Sequence, residues 1–340
     1  MTKQNTITVI GAGVIGLSCA WQLARAGFQV KVIYADDICT GASANAAGVL
    51  KPFDALQTGR KQKLQIESLW RYPQFLAELK KDSGIDVQIN RCGRYAVFYK
   101  EKGWHKTVEA AKKAHAEWPY TQTILPADAL TLPEVAAGIL FCEATATFSP
   151  IALLTALYQA CLNKGVVFEQ KKLTQLPLLR PVVVAAGAFS GAFSSQGVRP
   201  IKRQAILLQW PEAKPLQHVI ENGQVYLAPW DEGRSVYVGS TFEPEAKFDN
   251  APTPQAEAYL RSHAARLVPS LEHAPLLERF SGLQSRGIVT TNGQSTLVLG
   301  EDTVQKGVFI ATGHGGVGFC MAPITAYETV RLIKAHLKAS

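Results

Sequence analysis

Residues 7–37 constrain this chain more than any other stretch. They run Ile7-Thr8-Val9-Ile10, then Gly11-Ala12-Gly13-Val14-Ile15-Gly16, then a helical segment closing at Gly27. Val30-Lys31-Val32-Ile33-Tyr34 and Ala35-Asp36-Asp37 follow. A strand, a glycine turn, a helix, a second strand and an acid, in that order, make the unit that binds a dinucleotide. Gly11 lets the chain turn sharply off the strand. Gly13 removes the Cβ that would collide with a pyrophosphate. Gly16 lets the helix lie close to the sheet, so that its first amides face the phosphates. Asp36 stands 20 residues after Gly16, within reach of a ribose hydroxyl.

At 340 residues the chain is long for one core, so two lobes are expected. A hydrophobic content of 47% and a charged content of 18% describe a soluble globular protein. The net charge of +8 suits nucleic acid, an anionic membrane or an anionic substrate, or serves solubility alone. Its densest basic spots, Lys112-Lys113, Lys171-Lys172 and Lys202-Arg203, are pairs without interleaved aromatics, so no nucleic-acid partner is expected. Six cysteines without CxxC spacing read as reduced buried thiols. The histidines show no ligand spacing, and no metal site is expected. The apolar run 7–24 is broken by Gly11, Gly13, Gly16 and Gln22, which a signal or anchor segment would not tolerate. The expected location is cytoplasmic, without a membrane span, and the oligomeric state stays open.

A second landmark is Thr40–Leu50, where Ala42, Ser43, Ala47, Gly48 and Val49 keep side chains small. Backbone amides can there approach a large flat ligand, as a flavin requires. The alternative is a flexible linker. Residues 62–82 and 105–118 have helical periodicity, and Asp86–Ile89 and Tyr95–Tyr99 alternate as strands. Ser149-Pro150 opens another helix. Val166–Phe168 and Pro181–Gly187 read as strands, the second buried on both faces. Ala205–Gln209, Gln224–Ala228 and Ser235–Gly239 suggest an antiparallel sheet. A helix at 254–267, strands at 297–300 and 307–311, and a final helix at 322–337 complete the chain.

Four motifs agree on one family. Gly11–Gly16, Gly41–Leu50, Val183-Val184-Ala185-Ala186-Gly187 with Ser190-Gly191, and Gly313-His314-Gly315-Gly316-Val317-Gly318 before Ala322-Pro323 resemble the FAD-dependent D-amino-acid oxidase family. Tyr226-Leu227-Ala228-Pro229 and Val238-Gly239-Ser240-Thr241 look like its glycine oxidase branch. The resemblance spans the whole chain. It implies an α/β protein with a discontinuous Rossmann-type FAD-binding domain (1–52, 146–200 and 280–340). A second α+β substrate domain (53–145 and 201–279), built on an antiparallel sheet, accompanies it. It also implies non-covalent FAD contacted by Gly11, Gly13, Val14, Ile15, Gly16, Tyr34, Ala35 and Asp36. Ala42, Ser43, Ala47, Gly48, Val49, Leu173 and Gly187 would add to these, as would His314, Gly315, Gly316, Val317, Gly318 and Phe319. The last glycine loop would set backbone amides against the flavin's pyrimidine edge. His314 reads as a packed loop residue or a general base; the family needs no base.

The implied reaction is oxidative deamination of a small amino acid or amine such as glycine, sarcosine or a D-amino acid. A hydride passes to flavin N5, and oxygen accepts the electrons to give hydrogen peroxide. Two departures bear on the substrate. The family places an arginine after Gly-Leu to grip a carboxylate, whereas Gln284 follows Gly282-Leu283 here. Arg286, two residues on, faces the same side if the chain is extended; otherwise it is a surface arginine. The polar stretch Thr290–Thr296 also departs from the family's shorter turn. Tyr226 is expected either to donate a hydrogen bond to the substrate or to pack the wall. The rival readings are an FAD-dependent oxidase that modifies a tRNA wobble uridine, and a flavoprotein without catalysis.

Overall fold

The computed structural model describes residues 6–38, 40–52, 60–117, 122–287 and 296–339. A six-stranded sheet is ordered Val298–Glu301, Val308–Thr312, Val182–Val184, Ile7–Ile10, Val30–Tyr34, Val167–Gln170. Only the first pair is antiparallel; the rest run parallel. The central strands Ile7–Ile10 and Val182–Val184 are buried throughout, which their unbroken apolar sequence demands.

The helices Val14–Arg25, Arg60–Ser83, Pro150–Asn163 and Gly318–Ala339 pack together against this sheet. The edge of Trp21 meets Phe75 with ring centres 5.0 Å apart, and the Trp21 indole N–H donates to Asp82 at 3.0 Å. Ser149 caps its helix by accepting from the Ala152 amide at 3.2 Å. The opposite face of the sheet is covered by Phe193, Val198, Leu173 and Leu176.

The second sheet has eight strands, ordered Leu276–Arg286, Arg199–Gln209, Ser235–Gly239, Tyr226–Trp230, Val219–Glu221, Arg94–Phe98, Gly138–Cys142, Gln122–Leu125. Along Arg199–Gln209 the side chains alternate. Ile206 and Leu208 pack with Leu260 and Ala264 of the helix Pro254–Ala265. Ala205 and Leu207 join Phe280, Tyr237 and Ala47 on the other face, which looks toward the first sheet.

Four expectations need correction. The second sheet is mixed, because Val219–Glu221 pairs in parallel with Arg94–Phe98. Asp86–Ile89 forms no strand; only the adjoining Asn90 makes an isolated bridge, to Thr147. The final helix starts at Gly318, four residues before the expected point, with Pro323 inside it. Pro323 has no N–H for the Phe319 carbonyl, and the Tyr72 hydroxyl donates to that oxygen instead, at 2.6 Å. Residues 280–286, grouped on sequence with the dinucleotide lobe, pair with Arg199–Gln209 in the second sheet. The stretch Thr290–Thr296 falls outside the described residues save for its last member, and Cys39 lies outside them too. The remaining five cysteines are free and buried.

The glycine turn closes on itself. A Cβ at Gly16 would stand 1.9 Å from the Gly11 carbonyl oxygen, and one at Gly11 (φ +108°) would stand 2.4 Å from the Ala185 carbonyl oxygen. Both obstacles are backbone and cannot swing aside. Gly16→Ala should therefore destabilise the fold by about 2–3 kcal/mol through overpacking, read as a lower midpoint in thermal or denaturant unfolding. An unchanged midpoint would contradict this packing.

Candidate active site

The dinucleotide cradle is built by the turn after Ile7–Ile10. Gly13 is the N-cap of Val14–Arg25 and brings no side chain of its own to cap it. Among the described residues the amides of Ile15 and Gly16 meet no acceptor, which leaves the positive helix end open to an anion. Ser43 Oγ accepts from the Val14 amide at 3.2 Å, so the small-residue loop folds against the helix start. A Cβ on Gly13 would lie 3.2 Å from that same oxygen. Tyr34 ends its strand edge-on to Phe168, and Ala35 and Asp36 stand exposed beyond it. Gly187 (φ +55°) begins a short turn whose first carbonyl accepts from Thr312 Oγ1 at 3.2 Å. Leu173 packs on the sheet face beside Val182, Val184 and Phe193.

Between the two sheets lies a cavity of about 790 Å³. Its first wall holds Ala42, Ala47, Gly48, Val49, His314, Gly316, Val317 and Phe319. Gly315, with φ +61°, opens the turn Gly315–Val317 that leads into the last helix at Gly318. The facing wall comes from the second sheet, with Arg203, Glu221, Tyr226, Gly282 and Gln284. The walls meet tightly, for a Cβ on Gly282 would lie 2.9 Å from Ala42 Cα; within the first wall, one on Gly48 would lie 2.0 Å from the Phe148 carbonyl oxygen. A wall of small residues, continuous with a helix start whose Ile15 and Gly16 amides are open, fits a dinucleotide carrying a flat ring system. The residues present therefore fit FAD.

The ionisable groups of the walls are strongly perturbed. Burial pushes the Tyr226 phenol up to about 12, with Arg203 pulling partly the other way, so Tyr226 stays a hydrogen-bond donor. Its ring stacks on Tyr237 at 6.1 Å, and the Tyr237 hydroxyl donates to the Asn45 carbonyl at 2.7 Å. Burial alone would raise the Glu221 carboxyl. Arg94 at 2.7 Å and Lys51 at 3.0 Å outweigh it and hold the group at about 2. Burial, with Lys61 adding repulsion, lowers His314 to about 3. Its Nε2 lies 2.9 Å from Thr325 Oγ1, so it is a neutral packed residue at physiological pH. Lys61 is itself lowered to about 8 by burial and by Arg286.

Three substrate-side residues were expected from sequence, and two of them line the cavity. Tyr226 and Gln284 do so, and the Gln284 amide lies within 4 Å of where a Cβ on Gly316 would stand. The strand is extended through Arg286, as its expected role requires. Yet Arg286 is not part of the cavity wall; its guanidinium lies 5.4 Å from the Phe242 ring centre, and its backbone bridges His314. The cations that line the wall, Arg203, Lys61, Lys51, Arg94, Lys100 and Arg266, were not expected as site residues. Arg203 had a visible signal, a charge at a position whose alternation with Ala205 and Leu207 puts it on the inner face. The Lys51–Glu221 and Arg94–Glu221 pairs join residues 170 and 127 apart in sequence and carried no such signal.

The fold agrees with that of solved structures similar to this chain. It is 24% identical over 361 residues to the glycine oxidase of Geobacillus kaustophilus, covering 98% of this chain and 94% of that protein. It is 26% identical to the bifunctional protein ThiO/ThiG of Synechocystis, covering 96% of this chain but only 51% of that protein, about half its length. Among solved structures it is similar to glycine oxidase from Geobacillus kaustophilus, with a TM-score of 0.85, 22% identity and coverage of 97% and 95%. It is also similar to iminodiacetate oxidase from Chelativorans, with a TM-score of 0.84, 19% identity and coverage of 97% and 95%. The family model described as FAD dependent oxidoreductase matches residues 6–332, and the chain belongs to that family, with FAD as its cofactor.

Proposed function

We propose that this protein oxidises the carbon next to the nitrogen of a small amino acid or amine, with glycine, sarcosine and small D-amino acids as first candidates and oxygen as the electron acceptor. The observation that carries the reading is the cavity itself, which sets the small-residue wall at Gly48 and Gly316 opposite Tyr226 and Gln284. Bound FAD supplies the redox chemistry, taking two electrons from that carbon and passing them to oxygen. The protein's part is to hold the substrate between the walls. Tyr226, kept protonated by burial, donates one hydrogen bond, and the Gln284 amide offers another. His314 and Glu221, held near 3 and 2, are too acidic to draw a proton from a substrate ammonium at neutral pH. The imine product hydrolyses to a keto acid or aldehyde and releases ammonia, or methylamine where the substrate is sarcosine.

FAD is held without a covalent bond in this reading. Acid precipitation of the purified yellow protein should release all of its flavin into solution; flavin that stays with the pellet would contradict it. Anaerobic addition of glycine, sarcosine or a small D-amino acid should bleach the bound flavin. A panel of amines and amino acids that leaves the spectrum unchanged would refute the oxidase reading. Tyr226→Phe removes one neutral hydrogen bond, worth about 0.5–1.5 kcal/mol. It should lower kcat/KM by about twofold to tenfold while FAD content stays the same, and full activity in this variant would leave Tyr226 only a packing role.

A further inference from the structure

We propose that Arg203 is the anion anchor of the cavity, supplying the charge that Gln284 lacks, and that the substrate is therefore an amine bearing a carboxylate rather than a neutral amine. The inference rests on the oxidase reading for the amine, but not for the anion.

Strand register carries the geometry. Arg203 is directly opposite Gly282, and Ile201 is opposite Gln284. Arg203 and Gln284 are thus diagonal neighbours on the cavity face, about 7–8 Å apart or less. A guanidinium leaving position 203 can serve the same volume as a side chain leaving position 284. Gly282 gives up its place on that face to the Ala42 backbone, so Arg203 is the long side chain nearest the dinucleotide loop on its strand.

Charge bookkeeping points the same way. Lys51 and Arg94 both pair with Glu221, Lys202 on the opposite face pairs with Asp249, and Arg266 pairs with Glu134. Among the described residues Arg203 has no acidic partner. Its Nη1 donates to the Thr241 carbonyl at 2.9 Å, its plane lies 4.7 Å from the Phe242 ring centre, and its buried Nε has no hydrogen-bond partner. The Thr241 carbonyl, the Ser240 hydroxyl at 3.5 Å and the Phe242 ring hold the guanidinium, and the remaining donors suit a two-pronged grip on a carboxylate. An unpaired buried charge is costly, and an anionic ligand relieves that cost. Lys61, lining the same cavity, likewise meets no carboxylate among the described residues.

The test titrates the FAD-loaded protein with acetate and, as a neutral isostere, acetamide. Binding is followed by calorimetry and by the flavin absorption spectrum, so that no turnover is needed. Acetate should bind more tightly than acetamide. Arg203→Ala should weaken acetate about tenfold to hundredfold and leave acetamide and FAD content unchanged, whereas Arg286→Ala, whose charge acts on Arg203 and Lys61, should weaken acetate less than Arg203→Ala does. Arg203→Ala combined with Gln284→Arg should regain most of the loss, which a purely structural Arg203 would not permit. If Arg203→Ala fails to retain FAD, Arg203→Met, which keeps the stem, gives the same comparison. Equal acetate affinity in wild type and variant, or a wild-type preference for acetamide, overturns the assignment. Arg203-dependent acetate binding in a protein whose flavin no amine reduces would keep the anchor and refute the oxidase reading. Amine-driven bleaching that is indifferent to Arg203 would do the reverse.

Discussion

Three backbone segments converge where Ile7–Ile10 ends: the Gly11 turn, the Ala185 carbonyl after Val182–Val184, and the start of the helix at Gly16. No side chain separates them, and a single methyl at Gly11 or Gly16 would overlap a carbonyl oxygen. This contact fixes the helix start over the strand ends, where its unpartnered amides form an anion site. The rest of the active region takes its place from there. Ser43 ties the next loop to the helix start, and that loop, through Ala42, packs against Gly282 of the second sheet. The cavity between the sheets is thus positioned by an unbroken run of close backbone contacts.

The electrostatic character of the cavity follows from what the second sheet brings to it. Glu221 is shared by two cations, and Arg203 and Lys61 add positive charge without an acid beside them among the described residues. Burial moves Tyr226 up and His314 down, away from physiological pH, and brings Lys61 down to about 8, towards it. The walls bind and orient, in keeping with a chemistry carried by the cofactor.

Much of this was legible in the chain. The Gly11–Gly16 fingerprint, the run Pro181–Gly187 and the strands Ala205–Gln209 and Ser235–Gly239 have local signals, and each forms the expected element. Gly16 allows the close approach of helix and strand that was expected of it, whereas Gly48, expected to be small for the ligand's sake, also makes room for the Phe148 carbonyl. Gly138–Cys142 and Leu276–Arg286 were missed as strands because their patterns do not alternate cleanly. The early start of the last helix depends on Tyr72, 247 residues from the carbonyl it satisfies. Arg286 was the nearest cation in sequence to Gln284, but strand register also places Arg203, across the sheet, diagonal to it. Proximity across strands is set by register, which a single sequence does not display.

The measurement that bears most directly on this account is an electron-density map of the FAD-loaded protein. The account predicts the dinucleotide phosphates at the amides of Ile15 and Gly16 and the flavin ring inside the cavity bounded by Gly48, Gly316 and Tyr226. A ring lying outside that cavity, or phosphates held away from the start of the helix, would contradict it.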